Sequence, residues 1–177
     1  MVTECSFFKT PFGWFALAGH QRTVERVLLG LPSKQAAEEA VKRTFKHLQV
    51  VETDWWPELR ERLEAYTQGE PVQFVDVALP LERLSAFSQT VLKCVSRIPF
   101  GQVLTYSQVA AAVGRPKAAR AVGNVLASNR WPILIPCHRV VAASGRLGGF
   151  TAPGGVALKT RLLHLEGVVL PSKPLRP

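Results

Sequence analysis

The sequence predicts an α/β N-terminal domain over residues 1–80, built as a small antiparallel sheet with helices. A mainly α-helical C-terminal domain containing a helix-turn-helix follows over residues 81–177. Three observations predict this. Short apolar runs broken by turn residues fill the first thirty positions. From Leu81 onward the apolar residues recur at helical spacing. Charge divides unevenly: residues 1–100 balance twelve Lys/Arg against twelve Asp/Glu, whereas residues 101–177 carry ten against a single acid, Glu166.

In chain order, residues 6–9 and 14–18 read as strands either side of Pro11-Phe12-Gly13, and residues 24–29 as a third. Residues 33–48 read as a helix capped by Ser33, with Ala36, Ala37, Ala40, Val41 and Phe45 at helical spacing. Residues 55–66 form a second helix, with Pro57 near its first turn and Gly69 just past its end. Residues 72–77 read as a last strand before a boundary near Pro80. In the second part, residues 86–98 place Phe87, Val91, Leu92, Val95 and Ile98 on one helical face, and Pro99 stops them. Gly101-Gln102 is a turn, and Thr105 caps a short helix over 107–113. Gly114-Arg115-Pro116 breaks that helix, and another follows over 117–127. Two short helices about a glycine-containing turn outline a helix-turn-helix, although most such pairs are only packing units. Arg115, Lys117 and Arg120, clustered at the turn, favour contact with DNA. The proline-rich tail, residues 171–177, reads as frayed.

At 177 residues and 47% apolar, the chain suits one average domain or two small ones with a sizeable core. Lys9 and Pro11 interrupt the first apolar stretch, so no secretory signal is expected, and no apolar run reaches eighteen residues. A cytoplasmic protein is the expectation, nucleoid-associated if prokaryotic, with no membrane partner. Cys5, Cys94 and Cys137 are an odd, sparse set that suits a reducing compartment rather than a disulfide framework. They and the four histidines lack the paired spacing of zinc ligands, so no metal is expected. The formal charge of +9, all of it in the C-terminal part, suits a polyanion such as nucleic acid. Charge alone fits a solvated basic face equally well. An anionic membrane surface is less favoured, because no long basic amphipathic helix is present.

The residues that carry chemistry lie in Ile133-Leu134-Ile135-Pro136-Cys137-His138-Arg139-Val140-Val141. In a regular strand Cys137 and His138 would point to opposite faces. Pro136 predicts a bend that lets them share a pocket. A thiol acts as a nucleophile only as thiolate, an imidazole is a common activator, and the imidazole needs an orienting acid. Glu166 is the only acid after Glu82 and sits at the end of a helix that Gly167 terminates. The macrodipole disfavours an acid there, which predicts a partner: Arg139, Arg146 or His138. Cys94, on the apolar face of a helix, reads as core, and Cys5 has no base near it in sequence.

This segment resembles the active-site motif of the O6-alkylguanine-DNA alkyltransferases, also called methylated-DNA–protein-cysteine methyltransferases. Gly101-Gln102-Val103-Leu104-Thr105-Tyr106 is similar to that family's tyrosine-bearing turn, and Lys117-Ala118-Ala119-Arg120-Ala121-Val122-Gly123 to its recognition helix. Ser128-Asn129 is similar to its asparagine hinge, and Leu162-Leu163-His164-Leu165-Glu166-Gly167 to its glutamate segment. The matches cover about residues 81–170. Over residues 1–80 the likeness is loose and rests mainly on Thr10-Pro11-Phe12-Gly13.

The resemblance implies DNA repair by direct, stoichiometric transfer of an alkyl group from O6-alkylguanine to Cys137, without a cofactor. It implies that His138 acts as base, that Glu166 holds its tautomer, and that Tyr106 supplies a proton or hydrogen bond at guanine N3. It also implies that Arg120 fills the gap left by a flipped nucleotide, and that Thr105, Lys117, Ala119, Ala121 and Gly123 complete a minor-groove DNA contact. By the same resemblance, Asn129 is expected to pin the turn before the active-site segment, and Pro132, Pro136, Val140, Phe150 and Thr151 to shape the pocket. The implied partner is double-stranded DNA containing O6-alkylguanine, bound by a monomer, with cooperative binding along DNA left open. Thr151-Ala152-Pro153-Gly154-Gly155 is longer than the family's Ser/Gly-Gly loop. Two other classes compete: a cysteine hydrolase, which gives no reason for ten basic residues against one acid, and a non-catalytic DNA-binding regulator, which leaves Cys137 and Glu166 idle.

Overall fold

A meander of three antiparallel strands, β1 (Val2–Thr10), β2 (Gly13–His20) and β3 (Thr23–Leu31), opens the chain. The computed structural model describes residues 2–143 and 146–169, so the frayed tail expected over 171–177 lies outside the described residues. Strand alternation sorts β2 cleanly: Ala16 and Ala18 face one way, Phe15 and Leu17 the other. Over the alanines lies α1 (Lys34–Thr44), seated through Val41 and capped by the Ser33 hydroxyl, which accepts from the Ala36 amide. Against Phe15 and Leu17 lies α2 (Pro57–Thr67), which buries Leu59, Leu63 and Tyr66.

Two expectations need correction here. The sheet is mixed rather than purely antiparallel, because β4 (Gln49–Glu52) pairs parallel with β1, giving the order β3-β2-β1-β4. Those four residues are mostly exposed and too few to show an apolar period, and the helix expected through residue 48 stops at Thr44. Residues 72–77 form no strand. Arg62 of α2 binds both oxygens of Asp76 at 2.7 and 2.8 Å and also the Gln73 carbonyl, curling the segment back onto the helix. Only Ala78 bridges to the sheet, at Thr23.

The second half is helical, as α3 (Ala86–Val95), α4 (Tyr106–Ala112), α5 (Ala119–Ala127) and α6 (Gly155–Leu165). Thr105 caps α4 in a capping box with Gln108. The turn between α4 and α5 holds Gly114 at φ +72°, with nothing crowding its Cα, so backbone conformation is what calls for glycine there. Lys117 lies in this turn rather than in the helix, which starts at Ala119. Two-residue strands β5 (Leu104–Thr105) and β6 (Val140–Val141) pair in parallel and set the start of α4 beside the Cys-His-Arg segment.

One apolar cluster runs through both halves, from Phe15, Val27 and Leu63 to Val91, Val122, Trp131 and Leu162. The exposed edge of β3 is covered by the chain before the active segment. Val27 donates its amide to the Arg130 carbonyl at 2.9 Å, and the Trp131 indole donates to the Val24 carbonyl at 2.7 Å. An uncovered strand edge would leave such groups without partners.

Candidate active site

Pro136 ends the buried run with φ −77°, and Cys137–Arg139 follow as a single 3-10 turn. That turn replaces the alternation of a strand, so Cys137, His138 and Arg139 are all buried along one short arc. Just upstream, Ile133 adopts φ +73°, a conformation strained for a β-branched residue. Asn129 holds the arc from outside. Its side-chain amide donates to the Ile135 carbonyl at 3.0 Å and to Cys137 Sγ at 3.2 Å, while its oxygen accepts from the Trp131 amide at 3.0 Å.

Glu166 caps α6 and is the hub of the site. Its Oε1 lies 2.7 Å from His138 Nε2, and Arg139 grips both carboxylate oxygens through Nε at 3.1 and 2.9 Å. Gly101 donates its amide to Oε2 at 3.1 Å. Of the three partners expected for this acid, His138 and Arg139 are engaged, and Arg146 is exposed. Burial alone would raise the Glu166 carboxyl, but the hydrogen bonds from His138 and Arg139 and the Arg139 charge outweigh it and hold it at about 2. His138, wholly buried, is lowered by desolvation more than Glu166 raises it, and so is neutral at pH 7. An ionised Glu166 can only accept, so the imidazole proton sits on Nε2. Nδ1 is left as a buried acceptor with no hydrogen-bond partner among the described residues.

Two further side chains complete the environment, and sequence reasoning missed both. Tyr66, fully buried at the end of α2, donates its hydroxyl to Glu166 Oε1 at 2.7 Å and lies 3.1 Å from His138 Nε2. The available signal was a tyrosine on an apolar helical face, whose hydroxyl must find a partner once buried. Lys159 of α6 is 0% exposed and donates to the Val140 carbonyl at 2.7 Å. Burial lowers its ammonium to about 8, against a smaller upward pull from Cys137. Its signal was a lysine flanked by Leu158, Leu162 and Leu163 at core-facing spacing. Burial also raises the Cys137 thiol, while Asn129, the Lys159 charge and local backbone amides pull it down.

Cys137 lines a cavity of about 180 Å³ together with Tyr106, Gly123, Leu126, Phe150 and Thr151. Burial raises the Tyr106 phenol, with Cys137 adding to it, so the group is a proton-bearing donor at neutral pH. Pro132 is buried and lines a second cavity with Cys137, and Pro136 and Val140 are buried at either end of the arc. Arg120, Lys117 and Ala121 are exposed along the start of α5 and its preceding turn, and Ala119 is half-buried. Thr105 departs from the expected DNA contact. It is 1% exposed and its hydroxyl accepts from the Gln108 amide, so its side chain holds the helix that carries Tyr106. Cys94, expected in the core, is only half-buried.

Residues 86–168 match the family model described as 6-O-methylguanine DNA methyltransferase, DNA binding domain. Over 92% of its length the chain is 37% identical to a methylated-DNA–protein-cysteine methyltransferase of Methanosarcina acetivorans, covering 97% of that protein. A constitutive counterpart in Bacillus subtilis is 34% identical, over 90% of this chain and 93% of the relative. Among solved structures, a Mycobacterium tuberculosis OGT in complex with DNA superposes with a TM-score of 0.75 at 34% identity, covering 92% of each chain. The O6-methylguanine methyltransferase structure from the same organism gives 0.75 at 32% identity, covering 93% of this chain and 92% of that one.

Proposed function

The chain belongs to the methylated-DNA–protein-cysteine methyltransferase family, and from that premise we propose how its residues carry out the repair of O6-alkylguanine in DNA. Cys137 is the acceptor. Its thiol proton passes through one water to His138 Nδ1, the buried acceptor that Glu166 leaves free by fixing the other nitrogen as the donor. Lys159 and the Asn129 amide favour the resulting thiolate. Sulfur then attacks the O6-bound carbon in line, the S–C bond forms, the C–O6 bond breaks, and the electron pair goes to the purine. Tyr106 hydrogen-bonds the ring at N3 and passes it the phenol proton, so the base leaves as neutral guanine, and the proton held by His138 restores the phenol through water.

The base reaches this pocket by leaving the duplex, because its O6 substituent is not accessible in line within the stack. The exposed face around Arg115, Lys117, Arg120 and Ala121 lies against the DNA, and Arg120 occupies the space vacated by the nucleotide. Phe150 and Thr151 cover the extruded base. The unit over 81–177 carries binding and transfer, and residues 1–80 buttress it through Tyr66 and β3. The product is a thioether, which nothing in the site can reverse, so each chain acts once, and a single chain supplies every group invoked.

The observation that carries the reading is the orphaned Nδ1 of a neutral, wholly buried His138, one residue from Cys137, whose thiol shares a cavity with Tyr106. Intact-protein mass spectrometry after incubation with a duplex containing one O6-methylguanine tests it. The expected result is a gain of about 14 Da, one methyl replacing one hydrogen, saturating at one per chain and absent in Cys137→Ala. Lesion binding without a mass change would make the protein a sensor instead.

A further inference from the structure

The exposed face of α5 runs well past Arg120. Arg120, Ala121, Asn124, Ala127 and Ser128 are exposed, whereas Val122 and Leu126 are buried. Positions spaced in this way form one continuous stripe along a helix. At roughly 1.5 Å per residue the stripe ends about 12 Å beyond Arg120. Arg130, also exposed, follows it closely. A second cation reaches the same place from β3, the edge strand of the N-terminal sheet. Arg26 stands opposite Ala18, on the face of the sheet that α1 covers. The next residue, Val27, donates its amide to the Arg130 carbonyl at 2.9 Å, just beyond that edge. Arg26 also borders one cavity with Ala127, Ser128 and Asn129, where the stripe ends.

The two charges repel and no acid offsets them. The nearest acid in sequence, Glu25, is engaged with Arg83 at 2.9 Å and with His20 at 3.7 Å. Among the described residues neither Arg26 nor Arg130 has a carboxylate within ion-pair distance. Arg26 is half-buried, and burial together with the Arg130 charge lowers its pKa. Like charges held close without a counterion are relieved by an anion that both can reach, and a guanidinium fork suits a phosphate.

We propose that Arg26 and Arg130 together hold one backbone phosphate of the DNA at the far end of α5, so that residues 1–80 supply a DNA contact of their own. The proposal rests on α5 lying against the duplex. This phosphate is a different one from those beside Arg115, Lys117 and Arg120 at the start of the helix. A phosphate contact carries no sequence information, so the pair fixes the register of the protein on the duplex and adds salt-dependent affinity. Neither arginine touches the reacting atoms.

Equilibrium binding of an O6-methylguanine duplex across a range of salt tests this, with wild type, Arg26→Gln, Arg130→Gln and the double variant. One lost phosphate contact takes about 0.9 from the slope of log affinity against log salt, roughly eightfold in affinity at 0.1 M relative to 1 M. Each single variant is expected to show most of that loss, and the double variant no more than one contact's worth, because both cations hold one phosphate. The single-turnover rate at saturating duplex should keep its wild-type value. Arg26→Gln should melt no lower than wild type, since it removes a like-charge repulsion. Arg130→Gln, at an exposed position, reads the same loss without touching the sheet. A single neutral methylphosphonate linkage, moved stepwise on either side of the lesion, should weaken wild type at one position and leave Arg26→Gln unaffected there. An unchanged slope in both single variants, or a slower saturating rate with the slope intact, would overturn the proposal. Binding by wild type without any salt dependence would instead overturn the placement of α5 against DNA.

Discussion

Glu166 concentrates the chemistry of the site at a single carboxylate. It accepts from Tyr66, His138, Arg139 and Gly101, which come from α2, the 3-10 turn and the loop after α3. Its folded pKa of about 2 lies below the ordinary value of 4.5. As pH falls, the unfolded chain therefore takes up this proton first. Stability from this group is complete above about pH 4.5 and drains away as pH falls toward 2, by on the order of 3 kcal/mol. Urea unfolding across that window should show the slope. Glu166→Gln should flatten it and, by stranding the buried Arg139 charge, should also lower stability at pH 7 by about 3 kcal/mol or more. An identical slope in the variant would mean that other carboxylates carry the acid sensitivity.

At the scale of elements, Tyr106 is aimed by what lies on either side of it. The capping box of α4 fixes its backbone, and two glycines face its ring from different segments. At Gly148, φ is +70° and an added Cβ would come within 2.7 Å of the Tyr106 hydroxyl oxygen. At Gly123, inside α5, the Cβ would meet the ring at 3.8 Å, an ordinary contact. Opposite outcomes follow from alanine at the two positions. Gly148→Ala should lower stability by about 1–2 kcal/mol and slow transfer by displacing the phenol. Gly123→Ala should raise stability by roughly 0.5–1 kcal/mol, because helical glycine carries an entropic penalty. Thermal melts and single-turnover rates of the pair check both. Equal destabilisation would mean that α5 approaches Tyr106 more closely than 3.8 Å.

Across the whole molecule, the core that supports the site is shared. Trp131, 1% exposed, hangs from β3 by its indole, and Tyr66 reaches Glu166 across a hundred positions of sequence. Residues 81–177 on their own would lose the part of the apolar cluster that Val91, Trp131 and Leu162 share with β2, β3 and α2. The full chain is therefore expected to unfold in one cooperative transition, and a fragment of residues 81–177 should lack a cooperative melt. Calorimetry distinguishes the cases, and two resolved transitions in the full chain would refute the shared core.

The sequence by itself determined what local chemistry and periodicity encode. Ser33 and Thr105 as caps, the three-strand meander, the helix pair about Gly114 and the pocket-making bend at Pro136 all depend on neighbours within a few residues. Cys137, His138 and Glu166 were legible because a lone acid in a basic region, placed where the helix dipole disfavours it, requires a partner. The tertiary structure alone decided which partners it took, that β4 joins in parallel beside β1, and that residues 72–77 curl onto Arg62 instead of pairing. It alone brought Tyr66 and Lys159 to the site and opened a second cavity beside the thiol. Periodicity reports which face of an element is buried, but not which distant groups meet there. A four-residue edge strand, a buried hydroxyl and a desolvated ammonium are all settled by contacts between segments far apart in the chain.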